Sequence, residues 1–301
     1  MYEILEHSAF QNNHITDIIP TSGNSLLHNG RVKIYPDGSV EFLGADRAIF
    51  REAGFESVDY EEQEEAGKHE AKDKLASLER SKRRARTMVS DYIRANDLDL
   101  FCTFTVDPKK CDRYDTAEVF RKLHNWLDNN VRRHGLKYVL VPEYHKDGAV
   151  HFHACMNRAL TLVDSGTIDR HDGGKPRRPH SKTERMKWLA QGGSVVYNVS
   201  NWSLGFSTAI EMYGDRAAAI NYVCKYISKS DDKIGGRWYY SGGDLRLPVS
   251  YTCDVPFELM EKAVNNYHGG SWVIAALDCR CAKCFLKGDE LDGFFATLER
   301  C

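Results

Sequence analysis

Pro142-Glu143-Tyr144-His145-Lys146-Asp147-Gly148-Ala149-Val150-His151-Phe152-His153-Ala154 reads as a strand, a tight turn at Asp147-Gly148 and a returning strand, a β-hairpin. Side chains alternate along a strand, so His151 and His153 share one face and Phe152 takes the other. Two imidazoles on one rigid face form half of a metal site. Glu143, on the partner strand, could add a carboxylate oxygen. Asp147 and His145 are close in sequence and stay open as alternatives, His145 having the strand parity of Glu143 unless the turn breaks it. A lone His-x-His is more often a pair of histidines on a half-exposed sheet, so a second stretch has to decide.

That stretch is Ala218-Ala219-Ile220-Asn221-Tyr222-Val223-Cys224-Lys225-Tyr226-Ile227-Ser228-Lys229, which reads as a helix. Ile220, Val223, Cys224 and Ile227 recur at helical spacing and give it an apolar stripe. Tyr222, Lys225, Tyr226 and Lys229 fall three or four residues apart on a different face and are neighbours there. A phenol is a weak nucleophile near neutrality, because with a pKa of ~10 only about one molecule in a thousand is ionised. An adjacent ammonium favours the phenolate and can also neutralise a phosphate. Taken alone, a stripe of Tyr and Lys is a common solvated surface.

Together, the two strand histidines and Tyr-x-x-Lys-Tyr roughly 70 residues later resemble the HUH endonucleases. Within that superfamily the chain looks like the rolling-circle replication initiators of small single-stranded DNA phages. The resemblance covers roughly residues 75 to 235. Phe101-Cys102-Thr103-Phe104-Thr105-Val106 is similar to the family's first motif, His151-Phe152-His153 with Glu143 to the second, and Tyr222-Val223-Cys224-Lys225-Tyr226 to the third.

The resemblance implies site-specific nicking of single-stranded DNA at a replication origin. His151, His153 and Glu143 would hold one divalent ion, Mn²⁺ or Mg²⁺, to polarise the scissile phosphate. Tyr222 would attack phosphorus, leaving a 5′-phosphotyrosine and a free 3′-OH for a host polymerase to extend. Tyr226 would serve a second transfer that releases a closed circle. Lys225 and Lys229 would position phosphate or stabilise charge. No Gly-x-x-x-x-Gly-Lys-Ser/Thr element occurs, so a motor would come from a host helicase.

At 301 residues, 42% hydrophobic and 28% charged, the composition is that of a soluble globular protein. No apolar run approaches the roughly 20 residues of a membrane span, and the start of the chain lacks the layout of a signal peptide. Nine scattered cysteines suit a reducing compartment, a bacterial host cytoplasm, rather than a disulfide framework. The net charge of −2 hides two basic clusters, one from Lys72 to Arg94 and one from Lys175 to Lys187. Each could hold phosphates or be a solvated face.

In chain order, residues 1–70 read as an accessory segment with a small hairpin across Pro36-Asp37-Gly38, followed by an acidic linker from Val58 to Glu65. Residues 71–240 read as the endonuclease domain and 241–301 as an extension. Within the domain the expected elements are a helix over 70–95 and a strand over Leu100–Val106. Next come a helix capped by Thr116 and stopped by Gly135, then the histidine hairpin. Residues 158–193, with Gly173-Gly174, Pro176 and Pro179, read as a flexible basic insertion. Strands over 195–199 and 206–212 then lead to the tyrosine helix, and a late hairpin is expected from 237–240 and 245–253. This order predicts an α+β fold, an antiparallel sheet of RRM or ferredoxin-like type flanked by helices. In the tail, Cys279, Cys281 and Cys284 could bind zinc with Cys301, Cys253 or His268.

Two other classes remain at this point. A non-enzymatic RRM-like protein would stack bases on Phe101 and Phe104. A cupin-like metal oxygenase also uses His-x-His, though the interspersed helices argue against it.

Overall fold

A computed structural model describes residues 27–51, 74–212, 216–230, 232–266, 271–275 and 279–298. In chain order these form β1 (Leu27–His28), β2 (Gly30–Ile34), β3 (Val40–Ala45), β4 (Phe50–Arg51), α1 (Lys74–Ala95), β5 (Leu100–Val106) and α2 (Thr116–His134). There follow β6 (Tyr138–Tyr144), β7 (Val150–Met156), β8 (Leu162–Asp169), α3 (Lys182–Ala190), β9 (Ser194–Val199), β10 (Gly205–Glu211), α4 (Ala217–Lys229) and β11 (Tyr240–Gly242). The last elements are β12 (Val249–Cys253), α5 (Phe257–Asn266), β13 (Ser271–Ala275), β14 (Cys279–Leu286) and α6 (Asp289–Leu298). The architecture is α+β, with antiparallel sheets flanked by helices. The acidic run at 58–65, His268 and Cys301 lie outside the described residues.

Residues 70–247 form one compact unit, built on a seven-stranded sheet of order β11-β6-β7-β5-β10-β9-β8. Period-two alternation splits its central strands between two cores. Leu100, Cys102, Phe104 and Val106 of β5 meet Val119, Phe120, Leu123 and Leu127 of α2 on one face. On the opposite face Val139, Val141 and Cys155 pack under Val89 and Ile93 of α1 and Val223 and Ile227 of α4. Asp115, rather than Thr116, caps α2, accepting a hydrogen bond from the Glu118 amide at 3.1 Å. Gly135 ends that helix at φ 66°, the left-handed conformation in which a Cβ is penalised.

Two expectations are corrected here. The stretch read as a flexible insertion holds β8, the edge strand of the sheet, and α3, capped by Ser181. A register shift between Asp164 and Thr167, with Gly166 at φ 76°, breaks the alternation that would have marked the strand. The late hairpin does not form either. β11 pairs with β6, Tyr240 opposite Leu140, whereas β12 pairs with β2, Val249 opposite Ile34. Gly243, at φ 87°, carries the chain so close to the Leu136 carbonyl that no Cβ would fit.

The other unit joins described residues from both ends of the chain. Its five-stranded sheet has the order β12-β2-β3-β14-β13, and β2 and β3 form the hairpin expected across Pro36-Asp37-Gly38. The segments read as two separate additions therefore share one sheet and one core of Val32, Phe42, Met260, Cys284 and Phe294.

Candidate active site

Pairing of β5, β6 and β7 fixes which residues can meet. Thr105, His151 and Glu143 are Cα partners in one row across the strands, and Thr103, His153 and Val141 in the next. Cross-strand partners share a face, so both histidines, both threonines and Glu143 point to the side covered in part by α4. Phe152 lies in the α2 core, as the alternation requires.

His153 is nearly buried, at 6% exposure, and engaged on both nitrogens. Its Nε2–H donates to Glu143 Oε2 at 3.1 Å, and Nδ1 lies 3.3 Å from Thr103 Oγ1. Burial holds its pKa below the ordinary imidazole value, against the opposing pull of the Glu143 carboxylate. His151 is lowered too, first by burial and then by the charge of His145. Both rings are therefore neutral near pH 7, the form that offers a lone pair to an ion.

α4 is tied down at both ends. Arg216 donates to the carbonyls of Ile93 and Asn96 and to Asp99 Oδ1, the last at 3.0 Å. At the other end, Arg86 of α1 donates to Ser228 Oγ at 2.7 Å, and the buried Lys82 ammonium lies 3.5 Å from the Ser228 carbonyl. Cations suit a helix C-terminus. Part of the first basic cluster thus anchors the tyrosine helix, while Arg80 and Arg84 remain exposed.

The two tyrosines occupy different environments. Tyr222 is 43% exposed and meets Phe101, His153 and Tyr226 edge-on, at ring separations of 5.2, 5.8 and 5.2 Å. Tyr226 is only 8% exposed and stacks flat on His153, with centroids 4.0 Å apart. Burial pushes its phenol well up, helped by the Tyr222 hydroxyl and the Glu143 carboxylate, so it stays protonated. Tyr226 thus joins the buried stripe of Ile220, Val223 and Ile227 rather than the exposed face expected for it. Lys225 is exposed. Lys229 lines a cleft with Glu143, Tyr144, Tyr226, Ser230 and Asp232.

The alternatives for the acidic ligand form a separate cluster. Asp147 accepts from Arg113 at 2.6 Å and lies 3.3 Å from His145 Nδ1, while the His145 ring stacks on His151 at 5.0 Å. Among the described residues no three His, Cys, Asp or Glu side chains stand in a ready-made metal geometry. The donor set on the strands still fits an ion. Neighbouring ligands with ~2.1 Å bonds at right angles lie about 3 Å apart. Glu143 Oε2 and His153 Nε2 stand at that separation, 3.1 Å, with His151 the cross-strand partner of Glu143.

The tail thiols named for zinc divide between two faces of β14. Cys279 and Cys281 face Ala45 on one side, whereas Cys284 sits with Cys253 in the core on the other. Strand alternation keeps these three thiols from converging on one ion. Of the aromatics that an RRM-like binder would use, Phe104 is fully buried, and Phe101 is turned toward His153 and Tyr222. An open sheet with helices on both faces is not a cupin barrel. Thr103 is the site residue that sequence reasoning missed, although its parity with Thr105 and its place opposite His153 follow from the strand pairing.

No curated protein and no solved structure matches the chain. Residues 99–231, which run from the start of β5 through α4 and hold Glu143, both histidines and both tyrosines, match the family model of the replication-associated protein ORF2, and this similarity supports a role in initiating DNA replication.

Proposed function

We propose that this chain nicks and rejoins single-stranded DNA at a replication origin, with Tyr222 as the nucleophile. One observation carries the reading. An exposed tyrosine on an anchored helix is held edge-on to His153, whose Nε2 is shared with Glu143 at 3.1 Å. The Tyr222 oxygen attacks phosphorus, a phosphotyrosine bond forms to the 5′ side, and the 3′-oxygen leaves and takes a proton as a free 3′-OH. The bond energy is kept for rejoining, and the 3′-OH is left for a host polymerase.

His151, His153 and Glu143 are the residues that would hold a divalent ion, Mn²⁺ being a better match than Mg²⁺ for a mixed nitrogen and oxygen set. Such an ion supplies Lewis-acid polarisation of a non-bridging phosphate oxygen. For His153 to offer Nε2, its proton moves to Nδ1, where Thr103 Oγ1 at 3.3 Å accepts it. Lys229, in the cleft beside Glu143 and Tyr226, faces the phosphate with a fixed positive charge, and Lys225 supplies a second at the exposed surface. Tyr226 acts in the second transfer, once its ring leaves His153.

The test is covalent capture. Incubation of the chain with the circular single strand of its own replicon and Mn²⁺, followed by mapping of the DNA-linked peptide, should identify Tyr222. Loss of the adduct in Tyr222→Phe is expected. A normal yield from that variant would remove Tyr222 from the reaction.

A further inference from the structure

Phe206 stands out on the sheet face that α1 and α4 leave open. The side chains around it are polar or half-buried. Thr208 and Asn198 are exposed, and Thr103 and Thr105 are partly covered. Phe206 itself is 72% exposed. A lone exposed aromatic is ordinary on a protein surface. Its register sets this one apart. Phe206 is the Cα partner of Thr105, Thr105 of His151, and His151 of Glu143, so a single row crosses four strands from the ring to the candidate metal ligands.

Partners in a row share a face. Strands lie ~4.8 Å apart, so Phe206, two strands from His151, stands about 10 Å from it on the same surface. Its place is fixed by Gly205, which packs against the Thr105 carbonyl and the Asp107 amide so closely that no Cβ would fit. Lys110, whose ammonium donates to the Ser203 carbonyl at 2.9 Å, holds a positive charge at that end of the strand pair.

We infer that Phe206 is a base-stacking platform for single-stranded DNA, holding a base next to the phosphate presented to Tyr222. The inference rests on the nicking reading for its orientation and on the row for its placement. An aromatic face accepts any base, so it supplies affinity without sequence preference. A planar ring on a rigid strand does so with little freedom to lose on binding.

The experiment uses the full chain and a single-stranded dodecamer of thymidine, with its duplex as control. Fluorescence anisotropy gives the affinity, and a copy carrying 5-iodouracil gives photo-crosslinks for peptide mapping. Phe206→Ala should weaken single-strand binding about 10-fold to 100-fold, the range for loss of one stacked base. Phe206→Trp should keep the affinity, while Phe206→Leu, apolar but without a π face, should stay weak. The crosslink should map to Phe206. Wild-type affinity in Phe206→Ala, equal affinity of the Leu and Trp variants, or crosslinks confined to other peptides would overturn the inference. Should the wild-type chain stack thymidine on Phe206 yet form no adduct with its replicon strand, the nicking reading falls and the platform stands. Adduct formation with no role for Phe206 in binding gives the reverse.

Discussion

Tyr226 lies flat against His153, with ring centroids 4.0 Å apart and planes inclined by 6°. The stack closes one side of the imidazole, and the contacts to Glu143 and Thr103 fix its rotation. Aromatic pairs contribute about 0.5–1.5 kcal/mol beyond their burial. Tyr226→Phe keeps the ring, so its unfolding midpoint in urea should stay near wild type. Tyr226→Leu removes the plate and leaves a void, and a loss of about 2 kcal/mol is expected. The first DNA adduct should also drop in the Leu variant, because His153 can then rotate. Wild-type stability and adduct yield in Tyr226→Leu would show that the stack positions nothing.

Glu143 and Asp147 can be told apart by what they already hold. Glu143 accepts from His153, while Asp147 is engaged by Arg113 at 2.6 Å and by its own turn. Glu143→Gln keeps the shape, loses the charge and should cut both Mn²⁺ affinity and nicking by about 10-fold to 100-fold or more. Asp147→Asn and His145→Ala should nick near the wild-type rate. Titration with Mn²⁺ alongside a cleavage assay reads both quantities. The opposite pattern, with Asp147→Asn inactive and Glu143→Gln active, would move the acidic ligand to the turn.

Much of this arrangement was legible in the sequence, because short-range periodicity sets it. Strand parity alone places His151 and His153 on one face, and helical spacing brings Tyr222 near Tyr226. What stayed hidden depends on partners distant in the chain. The burial of Tyr226 comes from His153 and the strands beneath it, and nothing in the Tyr-x-x-Lys pattern separates it from Tyr222. Phe206 is one aromatic among many until the register of β10 on β5 sets it in a row with His151. Edge strand β8 was hidden by its bulge, and the shared sheet of the chain's ends by the roughly 200 residues between β3 and β12.

The unit formed by the chain's ends carries a pH dependence of its own. Glu41 is nearly buried between β2 and β14, 3.7 Å from Lys33 and 2.5 Å from Lys283. Burial alone would raise its pKa, but the Lys283 and Lys33 ammoniums outweigh it and hold the carboxyl below its ordinary value. A folded pKa below the unfolded one means that the contribution is complete above the unfolded value and fades as pH falls toward the folded one. Stability should therefore decline as pH drops below about 4.5. Glu41→Gln should lower stability at pH 7 by about 2 kcal/mol, less than a fully buried pair because Lys283 reaches water. It should also flatten the acid limb. Urea melts of both proteins from pH 7 downward measure this, and parallel acid limbs would exclude Glu41 as the cause.

The two tyrosines should separate in time. Tyr222 is exposed and edge-on to His153, ready for a phosphate arriving over the open sheet, whereas Tyr226 is buried and held protonated. Initial nicking should therefore need Tyr222 alone. Tyr222→Phe keeps the ring contacts to Phe101 and His153, so its melting should match wild type while the first adduct falls by at least about 100-fold, as expected for loss of a nucleophile. Tyr226→Phe should form that adduct at a near-normal rate. Its defect should come later, as DNA-linked linear product that accumulates instead of closed circles after one round of synthesis. A replication reaction with purified polymerase and helicase, sampled over time and resolved with and without protease, reads both steps. Normal circle release from Tyr226→Phe would leave Tyr226 as packing for His153 and make the second transfer the work of Tyr222 again or of another subunit. Equal adduct loss in both single variants would instead mean that Tyr226 leaves its stack before the first cut, and the ordering proposed from their exposures would be wrong.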